Sequence, residues 1–249
     1  MGGQMGGEII DITLVIGVFV ALFSAGMTAY AGFGGALVMV PAFALMIGPV
    51  QAVALTAICS AIALTHVMPG LLRTIRWREV LPLFAGLFLS ISVASSFLVK
   101  ADPDLIRMIM GGFILAAAAI LIINPKYAGP RGPKTSLGVG LLTGTIMGGV
   151  GVPAGPVMVL YFLAAEESPP VQRANIMFSV WLLLILMLVN LLVRGAINSD
   201  TALNALIIAP ASILGAYVGK WLFKRAPVTW FKSFAHGLLI IIGLSLLVV

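Results

Sequence analysis

Two glycine-rich clusters hold the residues of this chain best suited to holding a ligand: Gly32-Phe33-Gly34-Gly35 and Gly151-Val152-Pro153-Ala154-Gly155. Each runs into a short apolar stretch, 34–47 and 154–165, and neither stretch is long enough to cross a bilayer as a helix. A helix that starts at such a break offers unpaired first-turn N–H groups and about half an elementary positive charge. Glycine lets a ligand approach that backbone, and Pro153 suits a first helical turn, where its missing N–H is not needed. Two converging ends contribute ~1–4 kcal/mol toward an anion, enough to hold it and weak enough to release it.

Polar side chains extend this pattern. Thr56 and Ser60 are four residues apart and share a helix face, while Gln172, Asn175, Ser179 and Asn190 fall within an arc of roughly 60°. Such a stripe either lines a path for the ligand or bonds helices to one another. Read as a path, it predicts that Asn175→Leu abolishes transport and spares the fold. His66 and His236 are the titratable groups within apolar runs; His66 carries a proton if transport is proton-coupled, or else is a neutral imidazole bonded to a neighbouring helix. Arg173, at the start of its run, attracts anions or meets lipid headgroups. No Asp, Glu, Lys or Arg lies well inside an apolar run, which argues against a cation as cargo. The single Cys59 excludes an intrachain disulfide, and no residue pattern calls for a metal or a cofactor. An intramembrane enzyme is disfavoured, because no carboxylate, Cys–His pair or metal-ligand cluster lies in the apolar runs.

The elements that must position these residues are membrane helices. Hydrophobic residues make up 61% of the chain and charged residues 9%, with a mean hydropathy of +1.17. So few charges cannot solvate a folded surface in water, so the fold class is all-α integral membrane. The net charge of +6 does not indicate nucleic-acid binding: the basic residues cluster between apolar runs, at Arg73, Arg76 and Arg78, at Lys126, Arg131 and Lys134, and at Lys220, Lys224 and Arg225. Six runs are long enough to cross a bilayer: 50–72, 80–99, 105–123, 170–193, 201–223 and 231–249. Trp77, Trp221 and Trp230 at span ends read as interface anchors. The first residues, 1–8, read as a flexible tail.

A shift of 119 positions lays Gly32 to Val40 on Gly151 to Val159, Thr56 on Asn175 and Ser60 on Ser179. This predicts a duplication: residues 9–123 as one repeat, 137–249 as the other, and a cytoplasmic linker at 124–136. If each broken segment enters and returns, every repeat has an odd number of crossings and the three basic loops share one side. The repeats are then inverted, each with a re-entrant glycine-rich segment and three transmembrane helices, and both termini face the periplasm. Paired broken helices in inverted repeats mark a secondary transporter with its site near the midplane.

The glycine cluster through Pro41, the Thr56/Ser60 helix, the second cluster through Met158 and the run Arg173-Ala174-Asn175 resemble the TauE/SafE sulfite exporter family over nearly the whole chain. The resemblance implies a bacterial inner-membrane carrier of small sulfur-containing anions such as sulfite, sulfoacetate or related sulfonates. The chain departs from the family's three-glycine runs at Gly34-Gly35-Ala36 and Pro153-Ala154-Gly155, which bears on the size of the cargo. A passive anion channel, a carrier of small carboxylates and a non-transporting assembly subunit are the competing readings. The partners implied are a small anion, the bilayer, a proton if one is coupled, and further copies of the chain if it oligomerises.

Overall fold

The computed structural model describes residues 2–31, 33–65, 67–123, 127–153, 155–223, 237 and 239–247, excepting the side chains of 2–13, 31 and 223. The described residues form helices and no strand: α1 (Gly2–Ala31), α2 (Gly35–Ile47), α3 (Pro49–Thr65), α4 (Met68–Leu71), α5 (Trp77–Lys100), α6 (Pro103–Ile123), α7 (Pro133–Val150), α8 (Gly155–Leu163), α9 (Pro169–Val193) and α10 (Ser199–Phe223). Residues 239–247 form a further helix, α11. Among them α5, α6, α9 and residues Ser199–Leu222 of α10 are long and apolar enough to cross a membrane.

The long helices read as membrane helices through their outer faces. On α5, Leu83, Leu87 and Ile91 are buried at four-residue spacing, while Leu81, Phe88, Leu89, Val93 and Phe97 are exposed on the other side. An apolar face of that extent belongs against lipid, because water would not tolerate it.

The run 50–72 is not one span. Helix α3 is described over Pro49–Thr65, 17 residues, and Met68–Leu71 forms a separate turn with a proline at its start. Pro69 fits this break: it has no N–H to donate to the Thr65 carbonyl four residues earlier. Of the run 231–249, residues 237 and 239–247 are described and helical, and Trp230 lies outside the described residues.

Packing is dominated by helix pairs with glycine at the seam. Helices α1 and α10 form one pair and α5 and α7 another. A Cβ on Gly219 would lie 2.1 Å from the Gly26 carbonyl oxygen, and one on Gly215 2.1 Å from that of Leu22. Across the other pair, a Cβ on Gly140 would lie 2.2 Å from the Leu83 oxygen and one on Gly86 2.4 Å from that of Leu137. Gly111 of α6 meets Gly243 of α11 in the same way, at 2.9 Å. Without a hydrophobic driving force between helices in lipid, such backbone-to-backbone approach is what dispersion needs. Each pair joins a helix before residue 124 to one after residue 132, so the two halves of the chain are interleaved.

The α3 and α9 helices cross between these pairs and run antiparallel. Gln51 donates to the Ala196 carbonyl at 2.9 Å and accepts from the Thr201 hydroxyl at 2.7 Å, tying the start of α3 beyond the end of α9. Near the other end the Trp181 indole N–H donates to the Thr65 hydroxyl at 3.0 Å.

Candidate functional site

Both glycine breaks interrupt helices where the sequence places them. The first lies between α1 and α2, with Gly34 at the N-cap of α2 in left-handed backbone, φ 97°. The second follows α7, whose C-cap Gly151 has φ 78° and donates its N–H to the Met147 carbonyl at 2.9 Å. Residues with a Cβ rarely adopt either conformation.

The breaks meet. Phe33 of the first lies against Gly155 of the second, its Cδ2 3.8 Å from where a Cβ would stand on that glycine. A small cavity opens at this junction, lined by Phe33, Gly34, Ala36 and Leu37 from the first break and by Pro153 and Gly155 from the second. Ser60 and Leu64 of α3, Val180, Leu183 and Leu184 of α9, and Thr28 of α1 complete the wall. The centre of a water molecule has about 10 Å³ to move in, room for roughly one water. No lining residue is charged. The N-termini of α2 and α8, at Gly35 and Gly155, lie beside it, and a helix N-terminus carries a partial positive charge.

Thr28 fixes the first of these ends. Its hydroxyl accepts the Gly35 N–H at 3.1 Å and donates to the Ser24 carbonyl at 3.2 Å, so a side chain of α1 caps α2. Gly35 must be glycine for this: a Cβ there would stand 1.8 Å from the Ser24 oxygen and 2.3 Å from Thr28 Oγ1. Thr28 was not singled out from the sequence. Its signal was a hydroxyl in the last turn before a glycine break, four residues after Ser24.

The other predicted residues separate into groups. Thr56 and Ser179 are fully buried, and neither hydroxyl has a hydrogen-bond partner among the described residues. Each lies one helical turn, about 6 Å, from a lining residue of its own helix: Thr56 from Ser60, and Ser179 from Leu183. Hydroxyls in helices ordinarily bond back to a carbonyl one turn earlier, so two orphans flanking one cavity need a reason. Val152 is buried, and a Cβ on Gly151 would stand 2.4 Å from Val53 Cγ2, so these two residues pack the break and do not line the cavity. Asn175, also buried, accepts the Arg76 backbone N–H at 2.9 Å and holds the loop before α5. Gly32, Ala154, His66 and His236 lie outside the described residues.

Much of the α9 stripe bonds helices together. Gln172 donates to the Ala165 carbonyl at 2.8 Å, closing the end of α8. Asn190 accepts from Ser95 of α5 at 3.4 Å, and Arg194 donates to the same hydroxyl at 3.0 Å. Arg173 donates to the Ala29 carbonyl at 2.6 Å, placing a cation at the C-terminal end of α1, where the helix dipole is negative.

The family described as Sulfite exporter TauE/SafE matches residues 14–246. No curated protein matches the chain, and no solved structure does.

Proposed function

The chain belongs to the sulfite exporter TauE/SafE family, and from that premise we propose that it is a secondary transporter of small sulfur-containing anions, sulfite or a small sulfonate, working by alternating access in a bacterial inner membrane. The family is one of membrane transporters; the cargo and the mechanism are our reading. One observation carries it: the two broken segments, 119 residues apart in sequence, meet at a single uncharged cavity.

In this reading the N-termini of α2 and α8 face the anion's oxygens, and the Ser60 hydroxyl donates to one of them. A cavity with room for about one water is a closed state, so cargo reaches it only when α3 and α9 part. Thr56 and Ser179 then bond the anion on its way, one on each side of the cavity, which accounts for hydroxyls left without partners. The interleaved helix pairs support two inverted repeats, with the basic loops cytoplasmic and both termini periplasmic. His66 is the group to test for proton coupling.

The test is uptake and counterflow of labelled sulfite in proteoliposomes, with methanesulfonate, acetate and phosphate as competitors. Counterflow inhibited by sulfonates, and reduced about tenfold in Ser60→Ala by loss of one charge-assisted hydrogen bond, supports the proposal. Currents without counterflow would make the protein a channel, and competition by acetate alone would move the cargo to carboxylates.

A further inference from the structure

A second cavity of about 360 Å³ opens beside the N-terminus of α5. Its wall carries Arg76, Arg78, Glu79, Arg131 and Glu167, three guanidiniums against two carboxylates, which leaves one positive charge in excess.

The two ion pairs in it are built differently. Arg131 donates from Nη2 to both Glu79 oxygens, at 3.0 and 2.9 Å, and from Nη1 to the Tyr161 carbonyl. Its guanidinium carbon also lies 4.5 Å from the centre of the Tyr161 ring, whose hydroxyl is 2.7 Å from that of Ser136. Carboxylate, carbonyl and ring together pin Arg131 in place. Among the described residues the Arg76 side chain meets Glu167 alone, Nε to one oxygen at 2.9 Å and Nη2 to the other at 3.0 Å, and it is 59% exposed. Its backbone is fixed by Asn175, so the side chain can change partner while the loop stays in place. Arg78 is exposed and has no side-chain partner among the described residues.

A guanidinium fork that grips two carboxylate oxygens side by side offers the same two donors to any other oxyanion. An exposed pair gives its partner up readily, and the unpaired charge of Arg78 favours the exchange. We propose that this cavity is an oxyanion-binding vestibule in which the Glu167 carboxylate occupies the Arg76 fork until an anion displaces it. The pinned Arg131–Glu79 pair forms its fixed wall. Displacement also cuts the tie between the loop before α5 and the turn between α8 and α9. Helix α9 runs from one cavity to the other: Asn175 holds Arg76, Ser179 follows one turn later, and Leu183 lines the inner cavity. That sulfite is the natural occupant rests on the transport reading, whereas the site itself rests on the arginines.

The experiment is equilibrium binding of labelled sulfite to the purified full chain at low ionic strength, with thermal unfolding recorded for every variant. Glu167→Gln, which removes the competing charge, is expected to bind sulfite about tenfold more tightly. The gain should disappear in Glu167→Gln combined with Arg76→Lys, which keeps the charge and loses the fork, and persist with Ser60→Ala, which alters only the inner cavity. Unchanged affinity in Glu167→Gln, or a gain that survives loss of the fork, would overturn the vestibule. An Arg76-dependent gain in a protein whose wild type moves no sulfur oxyanion would uphold the vestibule and overturn the transport reading.

Discussion

The inner cavity has no charged lining residue, whereas five of the seven residues lining the outer one are Arg or Glu. The difference follows from where each sits. A full charge among membrane helices costs several kcal/mol, so an anion held in the inner cavity, as we propose, would meet helix ends and hydroxyls and no ionised group. Beside the loops water is near, paired charges are cheap, and a guanidinium can exchange one oxyanion for another. The inner cavity is therefore specified by backbone shape and the outer one by side-chain charge, and the two should respond to substitution in opposite ways.

The largest contrast is expected for glycine. Gly35→Ala places a Cβ inside van der Waals contact of the Ser24 carbonyl and should cost about 3 kcal/mol or prevent folding. Gly132→Ala beside the vestibule has φ 142° but open space around it, and should cost about 1 kcal/mol. Equal losses in thermal unfolding of the purified protein would remove the distinction.

The next contrast lies within the vestibule. Arg131→Ala strands Glu79 with both side chains less than a quarter exposed, an expected loss of about 2–3 kcal/mol. Arg76→Ala should cost less than about 1 kcal/mol in the same measurement, and if it costs as much as Arg131→Ala the side chain is not free to exchange. Asn175→Leu should lose about 2 kcal/mol, because the Arg76 N–H is left without its acceptor. Transport and stability should fall together in that variant, whereas the stripe read as a path predicts a loss of transport alone.

The smallest effect has the opposite sign. Thr56→Val and Ser179→Ala each remove a buried hydroxyl that has no partner among the described residues and should stabilise the protein by up to about 1 kcal/mol. If the hydroxyls serve the anion, the same variants lower sulfite uptake several-fold. A destabilised Ser179→Ala would mean that its hydroxyl is bonded within the fold.

Local chemistry was legible and distant partners were not. The runs 34–47, 154–165 and 170–193 correspond to α2 at Gly35–Ile47, α8 at Gly155–Leu163 and α9 at Pro169–Val193, because glycine and proline act on the backbone within a turn or so of themselves. The separation of α4 from α3 was legible too, in Pro69, but a continuous apolar run outweighed it. The partner of Asn175 was not, since the Arg76 N–H is 99 positions away and a backbone donor leaves no mark on the sequence. Nor were the seams of Gly86 with Gly140 and of Gly26 with Gly215, because a glycine in an apolar run does not say which helix it meets.

The sequence by itself determined that this is a helical membrane protein, where its helices break, and that no ionised group lies deep in its apolar runs. Those properties depend on composition and on nearest neighbours along the chain. Only the tertiary structure decided that the two breaks meet, that Asn175 holds a loop, and that Thr56 and Ser179 are left without partners among the described residues. Each of these depends on which helices approach closely, and that is set by the fit of side chains across distant segments.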